Sequence, residues 1–425
     1  MKVLLCNKYF FLNGGVEKYL YDVMNRLDAL GHTPVPFSVK YADSWKSPYS
    51  TYFLDPPGDP AQAHHRNIRL TPSNWIRLLD RSIYSFEARR ALARLIGAID
   101  GASIAYMLNI YNYMSPSILH TFRKHKIPVA MQIGDYNLLC PNYVFLRKGS
   151  PCTLCMNGSY YHGLRYCCVK KSYAASAVRV ASMYIQKWLR LYRLVDAFVV
   201  PCEFMKSKLI EGGFPARRIH LLQYPVVKQK EIGPVEKKNY ILFFGRITFE
   251  KGLDTLIRAY QKMNPPVDLI LAGRDYDGET ARLKKLIRPE YARKIRFVGF
   301  QTGGDLSRLI SEALLSVVPS RWYDNAPISV YDSFLHETAV LAARIGGIPE
   351  QIREEETGRL FSPDSEEELK EALAWMLSDR ERLIAMGKAG REYVKRELTV
   401  EQHVDGLLDL FDKIIHSYHN RSTPT

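Results

Sequence analysis

The sequence predicts an α/β fold of two doubly wound domains, and three observations predict it. Short apolar runs alternate with segments of helical period along most of the chain. The alternation stops at a polar stretch containing Gly and Pro over residues 227–238 and then restarts. The length of 425 residues exceeds what one hydrophobic core usually organises. Hydrophobic content of 47% beside 24% charged residues supplies enough apolar surface for large cores.

The elements follow in order. Lys2–Cys6 (KVLLC) is apolar throughout, as a parallel strand buried on both faces must be. The loop 7–15, with Gly14 and Gly15, leads into a helix over 16–30 that Gly31 ends. Residues 40–72, rich in Pro, Tyr, Asp and His, show no period and read as an irregular excursion. A helix over 83–99, a strand over 103–107, a helix over 116–125 and a strand over 129–133 come next. The strand 197–200 (AFVV), a helix over 203–212 and a strand near 220–222 close the first half. The second half places strands at 240–244, 269–272, 295–298 and 315–318, then helices at 366–377, 380–396 and 400–418. The expected domains are therefore residues 1–228, with a Cys-rich insertion at about 136–172, then residues 239–396, then a terminal helix over 397–419.

A net charge of +15 and a pI near 9.3 favour an anionic partner. The cations are scattered, and no zinc-finger, RRM-like or basic-zipper spacing occurs, which argues against nucleic acid. The chain lacks an uncharged apolar run of about eighteen residues, and Asn7 and Lys8 interrupt the apolar start, so neither a membrane span nor a signal peptide is expected and a cytoplasmic location is.

The stretch Val318–Phe334 (VPSRWYDNAPISVYDSF) sets Asp324 in a strand-to-helix loop and Asp332 inside the helix. Pro327 suits the first helical turn, where a missing N–H costs nothing. Backbone N–H groups near Ala326, Ile328 and Ser329, in the segment that also holds Asn325 and Pro327, would then face an anion at the strand's carboxyl end. The string Phe244–Gly252 (FGRITFEKG) puts Arg246 and Lys251 at another strand end, a cation pair suited to a diphosphate leaving group; a surface pair with Glu250 is the alternative for Arg246.

On these residues the chain resembles the family-four retaining glycosyltransferases of the GT-B fold, the glycogen-synthase and mannosyltransferase-like group 1 enzymes. The resemblance runs over nearly the whole length, most specifically Phe244–Gly252 and Val318–Asp332. It implies two Rossmann-like domains facing across a cleft, with the last helix crossing back to the first. The family's two Glu, one reaching the donor sugar and one gripping the ribose, stand here as Asp324 and Asp332. Arg246 and Lys251 inherit the diphosphate, and Arg246, Lys251 and Asp324 the catalytic part. Gly14, Gly15 and Glu17 match the phosphate and acceptor loop, and Gly273, Val298 and Gly299 the strand ends that border the base.

The implied reaction moves a hexosyl-type unit, with retention, from a nucleotide diphosphate sugar to a lipid-linked or polysaccharide acceptor in cell-surface glycan synthesis, at the inner membrane face and without a catalytic cofactor. The family's usual His before Asp-Tyr is Gly134 in Met131–Tyr136 (MQIGDY), and its small residues after the second acid are Glu337 and Ala339. Attack on the front face, with the leaving oxygen taking the acceptor proton, needs no enzyme nucleophile, so charge stabilisation by Arg246 and Lys251 would suffice; Asp135 would orient an acceptor hydroxyl. The same departures leave open a non-catalytic nucleotide-sugar or glycan binding protein, or a related epimerase or phosphorylase.

Five of the seven cysteines fall between Cys140 and Cys168. Cys152 and Cys155 form a Cys-x-x-Cys pair, which in a cytoplasmic chain points to zinc, with the resemblance implying Cys140, Cys152, Cys155 and Cys168 as its ligands, or else to reduced, partly buried thiols. The resembled branch carries cysteines at this spacing, the last four residues before a Ser, as Cys168 stands to Ser172. The following segment, 173–194, combines apolar residues with Arg179, Lys187, Arg190 and Arg193 and reads either as a core helix with a solvated face or as a peripheral contact with anionic lipid.

Overall fold

Along the first strand, β1 (Lys2–Cys6), Val3 and Leu5 face one apolar layer and Leu4 and Cys6 the other. That is the period of two expected of a strand covered on both faces. The computed structural model describes residues 1–56, 79–111, 113–226, 235–275 and 278–422, without the side chains of 421 and 422.

β1 pairs in parallel with β2 (Thr33–Phe37) and β3 (Ile104–Met107). With β4 (Val129–Gln132), β7 (Ala197–Val200) and β8 (Ile219–Leu221) they form a six-stranded sheet in the order β2-β1-β3-β4-β7-β8. A two-stranded antiparallel ribbon, β5 (Leu146–Arg147) and β6 (Ser150–Pro151), lies in the Cys-rich segment between β4 and β7. The second sheet holds β9 (Lys238–Phe244), β10 (Asp268–Ala272), β11 (Ile295–Gly299), β12 (Ala313–Val318), β13 (Ala339–Ala343) and β14 (Gly358–Phe361), in the order β11-β10-β9-β12-β13-β14. Its central strand again alternates: Ile241 and Phe243 enter the larger core, Tyr240 and Leu242 the smaller. Each such buried side chain contributes about 1.5–3 kcal/mol, so the two sheets anchor the fold.

β2 (TPVPF), β13 (AVLAA) and β14 are strands that the sequence reading does not mark. Two prolines disguise β2, which sits at the sheet's edge, where a missing N–H is tolerated. The segment 173–194 is not one helix. A helix spans Tyr173–Trp188, Arg190 turns left-handed at φ 52°, and a 3-10 turn covers Leu191–Leu194. Of the irregular excursion over 40–72, residues 57–72 lie outside the described residues, as do residues 227–234 of the linker over 227–238.

The last helix, Val400–Ser422, belongs to the first sheet's packing. Val404, Leu407, Phe411 and Ile414 join Val3, Leu5, Leu20 and Val23 in one core. His403 locks it further, its Nε2 2.7 Å from the Tyr19 hydroxyl and its Nδ1 2.8 Å from the Gln223 carbonyl. Val226, leaving the first sheet, pairs in parallel with Thr399 and donates its N–H to the Leu398 carbonyl at 2.7 Å.

Candidate active site

The loops after β9 and β12 are neighbours because their strands pair, and the sequence ties them together. Arg321 donates its backbone N–H to the Glu250 carbonyl, and its guanidinium reaches Asp254 at 2.6 Å and Asp364 at 2.9 Å. Gly252 (φ 68°) permits a close approach to the Pro319 carbonyl, where a Cβ would collide. Lys251 is thereby held opposite Asp324, with Nζ 2.5 Å from Oδ2, and Ser320 Oγ donates to the same oxygen at 3.0 Å. Both charged side chains are mostly buried, with 14% and 9% exposed. Arg246 pairs with Glu250 at 3.4 Å and stays 44% exposed.

Asp324 and Asn325 are buried in the loop, and Gly346 and Gly347 pack against their backbone; at Gly346 (φ 62°) a Cβ would strike the Asp324 carbonyl. The helix Ile328–Leu335 follows with Pro327 at its cap, extended at ψ 119°, one position before the expected first turn. Asp332 lies on that helix, 3.7 Å from Lys18 on the first domain's helix Gly15–Ala29. Gly15 faces the same helix, since a Cβ there would come within 2.6 Å of Ile328 Cδ1. The Gly14–Gly15 loop and the helix start at Ala326–Ile328 therefore oppose each other across the cleft.

On the first domain, Gly134 presents its carbonyl to Asn325 Nδ2 at 2.9 Å. A Cβ at Gly134 would meet the Tyr224 hydroxyl at 3.0 Å, so that hydroxyl stands where a larger side chain would begin. Asp135 accepts from the backbone and side-chain N–H groups of Asn137 at 2.9 and 2.7 Å, and burial raises its pKa. Glu17 is buried, accepts from Asn7 Nδ2 at 3.1 Å, and is likewise raised by burial.

Lys8 was missed by the sequence reading. Burial lowers its pKa, Glu17 and Asp135 act against that, and Arg246 across the cleft adds to it. Its position in the first strand-to-helix loop was the available signal. Glu350 was missed too: its carboxylate accepts from Glu203 N at 2.7 Å and Phe204 N at 2.8 Å, capping the first domain's helix Glu203–Glu211 from the second.

At the far strand ends, Gly273 donates to the Gly299 carbonyl at 2.8 Å, and the Val298 carbonyl accepts from Gln301 at 2.7 Å. These residues flank the β9 loop through β10, on the side away from Asp324.

The cysteines converge elsewhere. Cys140, Cys152, Cys155 and Cys168 line one small cavity with His162. Burial raises Cys140 and Cys155 to about 12, so these thiols are protonated near neutral pH. Among the described residues no three Cys, His, Asp or Glu side chains are arranged to hold a metal ion. No helix among them is long and apolar enough to cross a membrane.

Two family models match, one on each side of residue 226. Residues 14–225 match the glycosyl transferase 4-like domain, and residues 227–393 match glycosyl transferases group 1. A protein of the cps region of Klebsiella pneumoniae is 26% identical over 260 residues; the match covers 58% of this chain and 62% of that protein. Among solved structures, Anabaena Alr3699/HepE in complex with UDP superposes with a TM-score of 0.66 at 15% identity, covering 97% of this chain and 100% of that one. The same protein has been solved with UDP-glucose. WaaG, a glycosyltransferase involved in lipopolysaccharide biosynthesis, superposes with a TM-score of 0.60 at 16% identity, covering 95% and 98%. With one glycosyltransferase model over each sheet and GT-B structures matching end to end, the chain belongs to the group 1 glycosyltransferases.

Proposed function

We propose that this chain is a retaining glycosyltransferase that takes a hexosyl unit from a nucleotide diphosphate sugar and passes it to a lipid-linked or polysaccharide acceptor during cell-surface glycan synthesis. The observation that carries this reading is the loop pair after β9 and β12, where Lys251 and Asp324 stand together with Arg246 nearby, facing Gly14, Gly15 and Lys8. In this reading Lys251 and Arg246 take the diphosphate oxygens and stabilise charge as the glycosyl bond breaks. Asp324, exchanging Lys251 for substrate, holds a sugar hydroxyl, and Asp332 holds the ribose. The departing oxygen accepts the acceptor's proton, so no enzyme nucleophile enters. Glu17 and Asp135 lie on the acceptor side.

The related proteins support it in kind: the HepE structures hold UDP and UDP-glucose, WaaG serves lipopolysaccharide synthesis, and the Klebsiella relative lies in a cps region. The site works at the cytoplasmic membrane face and requires no cofactor. A structural zinc on Cys140, Cys152, Cys155 and Cys168 is a separate proposal: the four share one cavity but are not in ligating arrangement there, so binding would require them to draw together, and metal analysis of chelator-free protein tests it.

One observation favours a second reading, a non-catalytic nucleotide-sugar or glycan binding protein: Tyr224 crowds the position of the family's His. A panel of nucleotide sugars separates the two. Thermal stabilisation with release of nucleoside diphosphate supports transfer chemistry; stabilisation without release supports binding alone.

A further inference from the structure

A second pocket opens in the first domain, in the segment between β4 and β7 and the turn before β8. Its walls are the end of the helix Tyr173–Trp188, the 3-10 turn Leu191–Leu194, residues 157–160, and the turn over 212–218. The cavity measures about 560 Å³, within the range of small-ligand sites. Lys187, Arg190, Arg193, Arg217 and Arg218 line it, and no carboxylate does. Among the described residues none of the five forms an ion pair; Arg218 instead donates to the carbonyls of Arg193 and Val195 at 2.9 and 3.0 Å. Like charges gathered without counter-charge repel one another, so the arrangement is completed by an anion.

The same cavity is apolar below. Tyr160, Met183, Phe198 and Phe214 line it, and Phe198 and Phe214 meet edge to face at 5.1 Å. Outside the lining, the helix that forms one wall carries exposed aromatics: Trp188, which follows Lys187 at its end, is 80% exposed, and Tyr184 packs on the lining residue Tyr160 at 5.3 Å. A basic cleft with apolar lining, on a helix that also exposes Trp188 and Tyr184, matches an amphiphile, because Trp and Tyr favour the membrane–water interface. Arg179, the fourth cation of the sequence pattern, takes no part. It is buried and donates to the carbonyl and side-chain oxygens of Asn137 at 2.8 and 3.0 Å. Two cations from the 212–218 turn, invisible to a helical pattern, stand in its place.

We infer that this pocket binds the phosphate group of an anionic lipid in a bilayer, with guanidinium groups on the phosphate oxygens and Trp188 in the interfacial layer. Asn137 links pocket to cleft, since it lines the one and holds Asp135 beside the other. The contact would seat the first domain on the surface that carries a lipid-linked acceptor.

The test is flotation of the full chain with phosphatidylcholine vesicles, with and without phosphatidylglycerol. The chain is expected to float only with the anionic vesicles. The double variant Arg193→Glu, Arg217→Glu is expected to lower that partition roughly tenfold or more. Lys284→Glu with Lys285→Glu, the same charge change on exposed residues of the second domain, leaves it in place. Equal losses in both variants would show a response to net charge and overturn the site, as would wild-type flotation by the first. Trp188→Ala weakens partition with no charge change; an unaltered partition removes the interfacial role. Inorganic pyrophosphate that strips the chain from vesicles as well as a soluble prenyl diphosphate does would mark a free-phosphate site and overturn the lipid. Nucleoside diphosphate release by the Arg variants in solution stays at the wild-type rate, which separates failure here from failure of the transferase reading.

Discussion

Lys251 Nζ and Asp324 Oδ2 lie 2.5 Å apart, joining the turn after β9 to the loop after β12 in the second domain. The pair is nearly dry, so each charge depends on the other, and a substrate that takes one must compensate the second. Lys251→Ala is expected to lower nucleoside diphosphate release about 10²–10³-fold, the size of losing one oriented donor to a charged transition state. Ser320 still donates to Asp324 in that variant, so the stability loss is expected to stay at about 1–3 kcal/mol in urea unfolding. A near wild-type rate would remove Lys251 from the reaction.

Gly134 and Tyr224 form a second coupled pair. Gly134→Ala brings a methyl to 3.0 Å from the Tyr224 hydroxyl and is expected to cost about 1 kcal/mol or more. Tyr224→Phe in the same chain should recover much of it, whereas additive losses in a double-mutant cycle would mean that the two do not touch.

His403 predicts an acid-sensitive attachment of the last helix. Burial lowers its pKa from 6.5 to about 4 in the folded chain. Between those values the unfolded chain binds a proton that the folded one refuses, so stability falls as pH drops through that window, by about 3 kcal/mol in all. His403→Gln should flatten that limb in urea unfolding measured across pH; an unchanged slope would assign it to other groups.

Asp22 acts with the opposite sign. Burial, then the Asp332 charge, raises it from 3.8 to about 6, while Lys18 acts against the shift. Here the folded chain holds a proton that the unfolded one has released, so this group's contribution falls as pH rises from 3.8 to about 6. Asp22→Asn should steepen the net rise of stability with pH over that range, read from melting temperatures in matched buffers.

Glu350→Gln removes a charge from the start of the helix Glu203–Glu211 and should cost about 1 kcal/mol. Because the carboxylate comes from the other domain, the variant should also speed proteolysis of chain held at constant temperature. Equal cleavage of both proteins would confine Glu350 to local capping.

Much of this architecture was legible because strands buried on both faces write themselves as apolar runs: KVLLC and AFVV could be little else. TPVPF could not be read that way, since two prolines contradict a central strand and only its edge position reconciles them. At the site, spacing located Arg246, Lys251 and Asp324 on loops after two paired strands and Asp332 on the helix that follows the second. Spacing could not show that Lys251 meets Asp324 across 73 residues, or that Tyr224 occupies the room beside Gly134. Such contacts depend on which strands pair, and pairing order is set by tertiary packing. The basic segment misled for a related reason: a helical period carried past Arg190 hides the left-handed break that turns the chain toward Arg217.

The docking of the helix Val400–Ser422 onto β1 has a consequence for how the chain is made. In topological terms the second domain is an insertion within a discontinuous first domain, entered at Val226 and left at Leu398. The amino-terminal half emerges from the ribosome with the apolar patch around Val3, Leu20 and Val23 uncovered. It stays uncovered until Val400–Ser422 is synthesised and that helix can close over it. The carboxyl-terminal half has no such debt and can fold as soon as β14 and its helices appear. Removal of the final helix would therefore leave the first-made domain, rather than the last-made one, prone to aggregate.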